Sequence, residues 1–259
     1  MFDLFLDIFS CRDNAWTRMD ARVKLIIALA AIIFILLSSR TALPLVFFVF
    51  CTGAMLGLGM PPRLVLARLA GPLGIVFVLV ALMAFTQGST VLHSVRFGGF
   101  ELLLREEGLL KGMLAGSRVL GAVSVILLLG SVTPAHKIFA SLRWGRVPDG
   151  WVEIALLMYR YIFCLLEHTA EAVEAQKVRL GYAGARRSLS SVGTLAGIVV
   201  LRSLDQARQT HDAMMVRGYR GCLTFGPLPR LGRKDLATIF LAMLVIAVTW
   251  AALEWRVII

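Results

Sequence analysis

Two arginines at matching places in two matching stretches are the groups in this sequence best suited to chemistry. VEAQKVRLGY, Val173 to Tyr182, and HDAMMVRGYRG, His211 to Gly221, share one order: an acidic residue, Ala, two residues, Val-Arg, then Gly-Tyr within two positions. Arg179 and Arg217 therefore recur 38 positions apart. A guanidinium presents five donors in a planar fork, and at a helix end it suits insertion into an acidic groove of another protein. One copy alone reads more simply, since Arg in a last helical turn complements the dipole and Gly supplies a left-handed stop. Two copies in the only large polar segment of the chain favour docking.

Other chemistry is hard to find. The sequence has no G-x-x-x-x-G-K-[ST], no H-E-x-x-H and no G-x-S-x-G, and His93, His136, His168 and His211 are far apart. Cys11, Cys51, Cys164 and Cys222 form no C-x-x-C, which leaves no disulfide framework or zinc site by spacing, so they read as packing residues. Met55, Met83, Met113 and Met243 stand singly in apolar blocks, where gap filling is their ordinary role. The expectation is a chain without catalytic residues, metal ligands or cofactor.

The elements that must hold the two arginines follow from composition. Of the 259 residues 58% are hydrophobic and only 17% charged, with a mean hydropathy of +0.80, outside the soluble globular class. Apolar blocks run from Val23 to Ser39, Leu43 to Met60, Pro72 to Thr86, Gly108 to Val132 and Leu236 to Leu253. Crossing a hydrocarbon core takes roughly 20 helical residues, so the blocks predict an all-α membrane protein with about five spans. The net charge of +11 does not gather into one patch with interleaved aromatics, which excludes a nucleic-acid reading. Arg12, Arg18, Arg22 and Lys24 precede the first span, and Arg63 and Arg68 fall between the second and third, while the first opposite loop has only Arg40. That bias predicts a cytoplasmic N-terminus. With five spans, 133–235 is then cytoplasmic, between an N-terminal membrane region 1–132 and a last span in 236–259. MFDLFLDIFS, at the start, carries Asp3 and Asp7 and reads as an interfacial lead-in rather than a signal peptide.

In the polar segment, Pro134 opens a short amphipathic helix with Ile138, Phe139 and Leu142 on one side. A longer helix is predicted from Trp151 to about Leu180, with an apolar stripe of Trp151, Ala155, Met158, Ile162, Leu165, Ala172 and Val173 opposite a polar line of Glu153, Arg160, Glu167, Glu171 and Glu174. Another is predicted from about Leu189 to Val216, with Val200, Leu204, Ala207, His211 and Met214 on one face, and each long helix stops at a Gly. Within the spans, Gly53-x-x-x-Gly57 and Gly112-x-x-x-Gly116 mark faces for close packing. Arg118, a charge inside the fourth block, either makes a polar contact or snorkels to an interface.

Taken together, TRMDARVKLI, SVTPAHKIFASLRWGRVP, YRYIFCLLEHTAEAVEAQKVRLG and RSLDQARQTHDAMMVRGYRG resemble the transmembrane T component of energy-coupling factor (ECF) transporters, the EcfT family, and within it the cobalt-uptake CbiQ branch. Ala21 stands where that family usually has Pro. The resemblance implies a non-catalytic coupling subunit of an ATP-driven importer, most simply for cobalt, in the bacterial inner membrane. It also implies that Val178-Arg179-Leu180 and Val216-Arg217-Gly218 match the family's ATPase-docking motifs, usually Ala-Arg-Gly or Ala-Arg-Ser. The first departs further, with Val and Leu for small residues and Gly181 one position late. The implied partners are two ATP-binding cassette subunits, a CbiM-like substrate-binding membrane subunit with or without a small accessory subunit, and membrane lipid. Nickel or a vitamin as cargo, a lipid-modifying membrane enzyme, and a scaffold without transport are the alternatives.

Overall fold

The computed structural model describes residues 19–86, 91–97, 100–221 and 232–254. The lead-in, Arg12, Arg18, Cys11 and Cys222 lie outside them. The chain divides into two compact units, one formed by Met1–Pro134 with Arg230–Ile259 and the other by Ala135–Pro229.

The first unit holds α1 (Ala21–Leu37), α2 (Ala42–Gly57), α3 (Pro62–Thr86), a hairpin of β1 (Val91–Phe97) and β2 (Phe100–Arg105), α4 (Glu106–Val132) and α8 (Arg233–Glu254). Asp20 starts α1 by accepting the Arg22 N–H at 3.2 Å, a side-chain N-cap that suits Ala21 as well as Pro at the next position. Among the described residues three helices are long and apolar enough to cross a membrane: α3, α4 and the stretch Asp235–Leu253 of α8. With α2 as a shorter apolar helix, the protein is an all-α membrane protein. At 17 and 16 residues α1 and α2 measure only about 25 Å each.

One expectation needs correction. The third apolar block is the end of a longer helix: α3 begins at Pro62 and passes through Pro72, so Arg63 and Arg68 sit in its first turns and not in a loop. A Pro at the first helical position is pre-organised, and the long apolar run after Pro72 carries the helix past that missing N–H. The stretch before α4 forms an antiparallel hairpin pairing Val95 with Leu102 and Phe97 with Phe100. Its β-branched and aromatic residues favour strands, and Gly98-Gly99 separates them in the sequence.

Close packing centres on α4. A Cβ at Gly112 would lie 3.2 Å from the Val80 Cα, and one at Gly116 would lie 2.8 Å from the Val76 Cγ1, so this small-residue face brings α3 directly onto α4. Gly121 admits the Pro44 carbonyl of α2 at 2.9 Å from the same imagined atom. Gly53 and Gly57 have open space around them and make no such contact. Lipid gives apolar side chains little reason to leave it, so close contact and dispersion must hold these helices together. Ala28, Ala31, Ile35, Leu43, Val125 and Ile246 form one buried cluster, with Phe34 edge-on to Trp250 at 6.1 Å beside it.

Charges tie the ends of this unit. Lys24 Nζ donates to the Val132 carbonyl at 3.4 Å and Arg68 Nη1 to Ser131 Oγ at 3.2 Å, both at the negative end of the α4 dipole. The starts of α1 and α3 therefore lie at the same end of the unit as the end of α4. Arg118 makes the polar contact: its Nε and Nη2 donate to the Ser38 carbonyl at 3.2 and 2.7 Å, satisfying the buried residue that caps α1.

Among the described residues the second unit holds α5 (Ala135–Leu142), α6 (Asp149–Val178) and α7 (Ala185–Val216). These are the predicted short helix and the two long ones. Phe139 of α5 meets Tyr159 of α6 edge-on at 6.1 Å, and Arg143 pairs with Asp149 at 2.7 Å across the turn.

Candidate functional site

The two arginine motifs occupy the same backbone position. Arg179 caps α6 with φ −83° and ψ 14°, and Arg217 caps α7 with φ −84° and ψ 7°. The residue after each is left-handed, Leu180 at φ 55° and Gly218 at φ 81°. Leu180 N–H donates to the Lys177 carbonyl at 3.0 Å and Gly181 N–H to the Gln176 carbonyl at 2.9 Å. The second end repeats this with Gly218 N–H to the Met215 carbonyl at 3.0 Å and Tyr219 N–H to the Met214 carbonyl at 3.0 Å. Both are Schellman caps, which satisfy the last carbonyls with a reversed turn of chain.

This geometry corrects the expectation that each long helix stops at a Gly. In α7 Gly218 takes the left-handed place, but in α6 Leu180 takes it and Gly181 comes after. Gly181 is needed for space: a Cβ there would meet Ser191 Oγ at 2.7 Å and the Gln176 carbonyl at 3.0 Å. The flanking side chains point outward, with Val178, Leu180 and Val216 exposed by 85%, 67% and 89% and both arginines exposed.

The elbow between α6 and α7 is closely bonded. Tyr182 Oη donates to Gln176 Oε1 at 2.8 Å, Gln176 Nε2 to the Ser191 carbonyl at 3.1 Å, and Ser191 Oγ to the Gly181 carbonyl at 2.9 Å. At the far end of the pair, Tyr219 Oη reaches Glu153 Oε2 at 3.5 Å. Glu153, which the sequence pattern places on a solvated line, is only 4% exposed. Each tip thus has its own tyrosine anchor, and the stretch of α7 between them, Ser191 to Val216, measures roughly 37 Å.

Between the elbow and the far end the two helices meet through polar groups. Thr210 Oγ1 donates to Tyr161 Oη at 2.9 Å. A cleft of about 320 Å³ is lined by Cys164, Leu165, His168, Arg202, Asp205, Gln206 and Gln209. Among the described residues no three His, Cys, Asp or Glu side chains gather where they could hold a metal ion. Of the apolar stripes Leu165 lines this cleft, while Trp151, Met158 and Ile162 of α6 and Val200 and Leu204 of α7 are exposed. Sequence reasoning found the arginines and the stripes. It missed Gln176, Ser191 and the anchoring role of Tyr182 and Tyr219, although the repeated Gly-Tyr was the visible trace of the last two.

Comparison with known proteins adds a family. The model of the CbiQ cobalt transport proteins matches residues 13–225. A cobalt transport protein CbiQ of Rhodobacter capsulatus is 34% identical over 52% of this chain and 55% of its own length. A fused cobalt transport protein CbiMQ of Methanocorpusculum labreanum is 29% identical over 80% of this chain and 35% of its own. An energy-coupling factor transporter transmembrane protein EcfT of Exiguobacterium sibiricum is 27% identical over 79% of this chain and 81% of its own.

Proposed function

The chain belongs to the CbiQ cobalt transport protein family, and on that premise we propose that it is the coupling subunit of an ECF-type importer, with cobalt ion as cargo. Its multi-pass membrane character and kinship with EcfT make it a transmembrane component of such a transporter. The step to coupling rests on one observation: two helices end in the same Schellman cap, each carrying an exposed arginine. Val178, Arg179 and Leu180 dock one ATPase subunit, and Val216, Arg217 and Gly218 dock the other.

In this reading ATP binding draws two ATPase subunits together and displaces the docked tips. The pair α6–α7 carries that displacement to its exposed apolar stripes. A substrate-binding membrane subunit rests on those stripes, and apolar surfaces slide over one another without stranding charges. The fused relative, whose name joins CbiM to CbiQ, supports a CbiM-like partner, and the family name favours cobalt over nickel or a vitamin. The protein then sits in the bacterial cytoplasmic membrane with its N-terminus and 133–235 in the cytoplasm, acts without a catalytic site of its own, and leaves cargo binding to its partner.

The test is a pull-down of tagged wild type and the Arg179→Ala, Arg217→Ala double variant from native membranes. ATPase subunits should leave with the wild type and be lost from the double variant, each contact being worth roughly 2–5 kcal/mol. Equal recovery from both would overturn the coupling role.

A further inference from the structure

We propose that the docking head at the end of α6 is built from both long helices, and that Arg186 and Arg187 of α7 grip an acidic groove of the ATPase beside Lys177 and Arg179. The inference rests on the coupling function proposed above and extends it from a three-residue motif to a composite surface.

Arg186 and Arg187 occupy the second and third positions of α7 after Gly184, a cap residue with no side chain to accept the first N–H groups. Acidic residues are favoured there, because the helix dipole is positive at that end. Two arginines oppose it, at a local cost. The side chains of Lys177, Arg179, Arg186 and Arg187 are all exposed and, among the described residues, make no hydrogen bond or ion pair. The sequence has no Asp or Glu between Glu174 and Asp205, so no counter-charge is at hand along that stretch.

The elbow network ties together the two helix ends that carry these four cations. Gln176, Tyr182 and Ser191 bind the end of α6 to the first turns of α7, so the cations of the two helices are held on either side of a single reversed turn. Val178 and Leu180 project from the same knob, exposed by 85% and 67%. Exposed apolar tips with exposed cations before and after them in the chain suit an acidic protein groove. A lipid-binding element would instead present one long flat amphipathic face. The other tip is different in charge: between Asp212 and Gly221 it has Arg217 and Arg220 against Asp212. The α6 head should therefore supply the salt-sensitive part of docking.

The experiment measures ATPase retention by the full-length complex across a salt series for wild type, Arg186→Glu/Arg187→Glu and Arg220→Glu. Glutamates at the second and third helical positions favour the helix, so a loss of docking cannot be assigned to melting of α7; thermal stability at or above wild type checks this. The expected result is a roughly tenfold weaker complex at low salt for the double variant, a gap that narrows as salt screens the wild type, and a much smaller change for Arg220→Glu. Unchanged retention and salt dependence overturn the composite head. Retained ATPase with lost binding to anionic, but not zwitterionic, vesicles also overturns it, in favour of a lipid surface. If the wild type holds no ATPase at all, the coupling function fails and the head with it, whereas wild-type retention with no effect of the variant sinks the head alone.

Discussion

Where α6 ends, the chain reverses into α7 between Val178 and Ala185, and the Gln176, Tyr182 and Ser191 side chains bond across the bend. Where α7 ends, a glycine makes the turn and one tyrosine hydroxyl reaches back 3.5 Å to Glu153. The caps themselves are the same. A left-handed leucine costs about 1–2 kcal/mol relative to ordinary helix backbone, and it persists at the first end because three side-chain hydrogen bonds fix the surrounding chain. At the second end glycine adopts the same conformation without strain. One cap geometry is thus reached by two local solutions, a braced leucine and a relaxed glycine.

Substitutions can break or sharpen this contrast. The largest expected effect is on the braced end: Gly181→Ala should push Ser191 away and destabilise the elbow by about 1–3 kcal/mol, read as faster hydrogen exchange of the elbow amides. Adding Ser191→Gly should not restore that protection, since the Gln176 carbonyl stays 3.0 Å from the added methyl and the Ser191 hydrogen bond is lost as well. At the relaxed end Gly218→Ala meets open space and should cost about 1 kcal/mol from φ alone, with no partner mutation able to rescue it.

Gln176→Ala removes the hub of the network and should lower thermal stability of the elbow by about 1–2 kcal/mol. Leu180→Gly should act in the opposite sense, raising stability by about 0.5–1 kcal/mol while weakening ATPase retention, because the strain and the exposed side chain disappear together. A Leu180→Gly variant that lost stability would show that the braced end is not strained.

The helices were legible in the sequence because their signals are strong and repeated. The 3.6-residue periodicity of α6 and α7, the caps at their ends and the long apolar runs of α4 and α8 are local features. Arg118 was legible as an anomaly, while its acceptor, the Ser38 carbonyl, lies 80 positions away and only tertiary structure brings it close. The elbow was illegible for a similar reason: Gln and Ser are ordinary on an exposed helix, and their bonds form only once α7 folds back. The hairpin before α4 was missed because a short, partly charged segment between two long apolar blocks reads most simply as a loop. Glu153 was misread because helical periodicity assigns a face but not what later covers it.

The exposed stripes of α6 and α7 bear on the life of the protein before assembly. Trp151, Ile154, Met158 and Ile162 on one helix and Val200, Leu201 and Leu204 on the other are the kind of surface that chaperones and membrane proteases recognise. On the function proposed above, a copy made without its partners would display this surface as a substrate for removal, and degradation of such orphans would hold the subunit to the amount of its partners whatever its rate of synthesis.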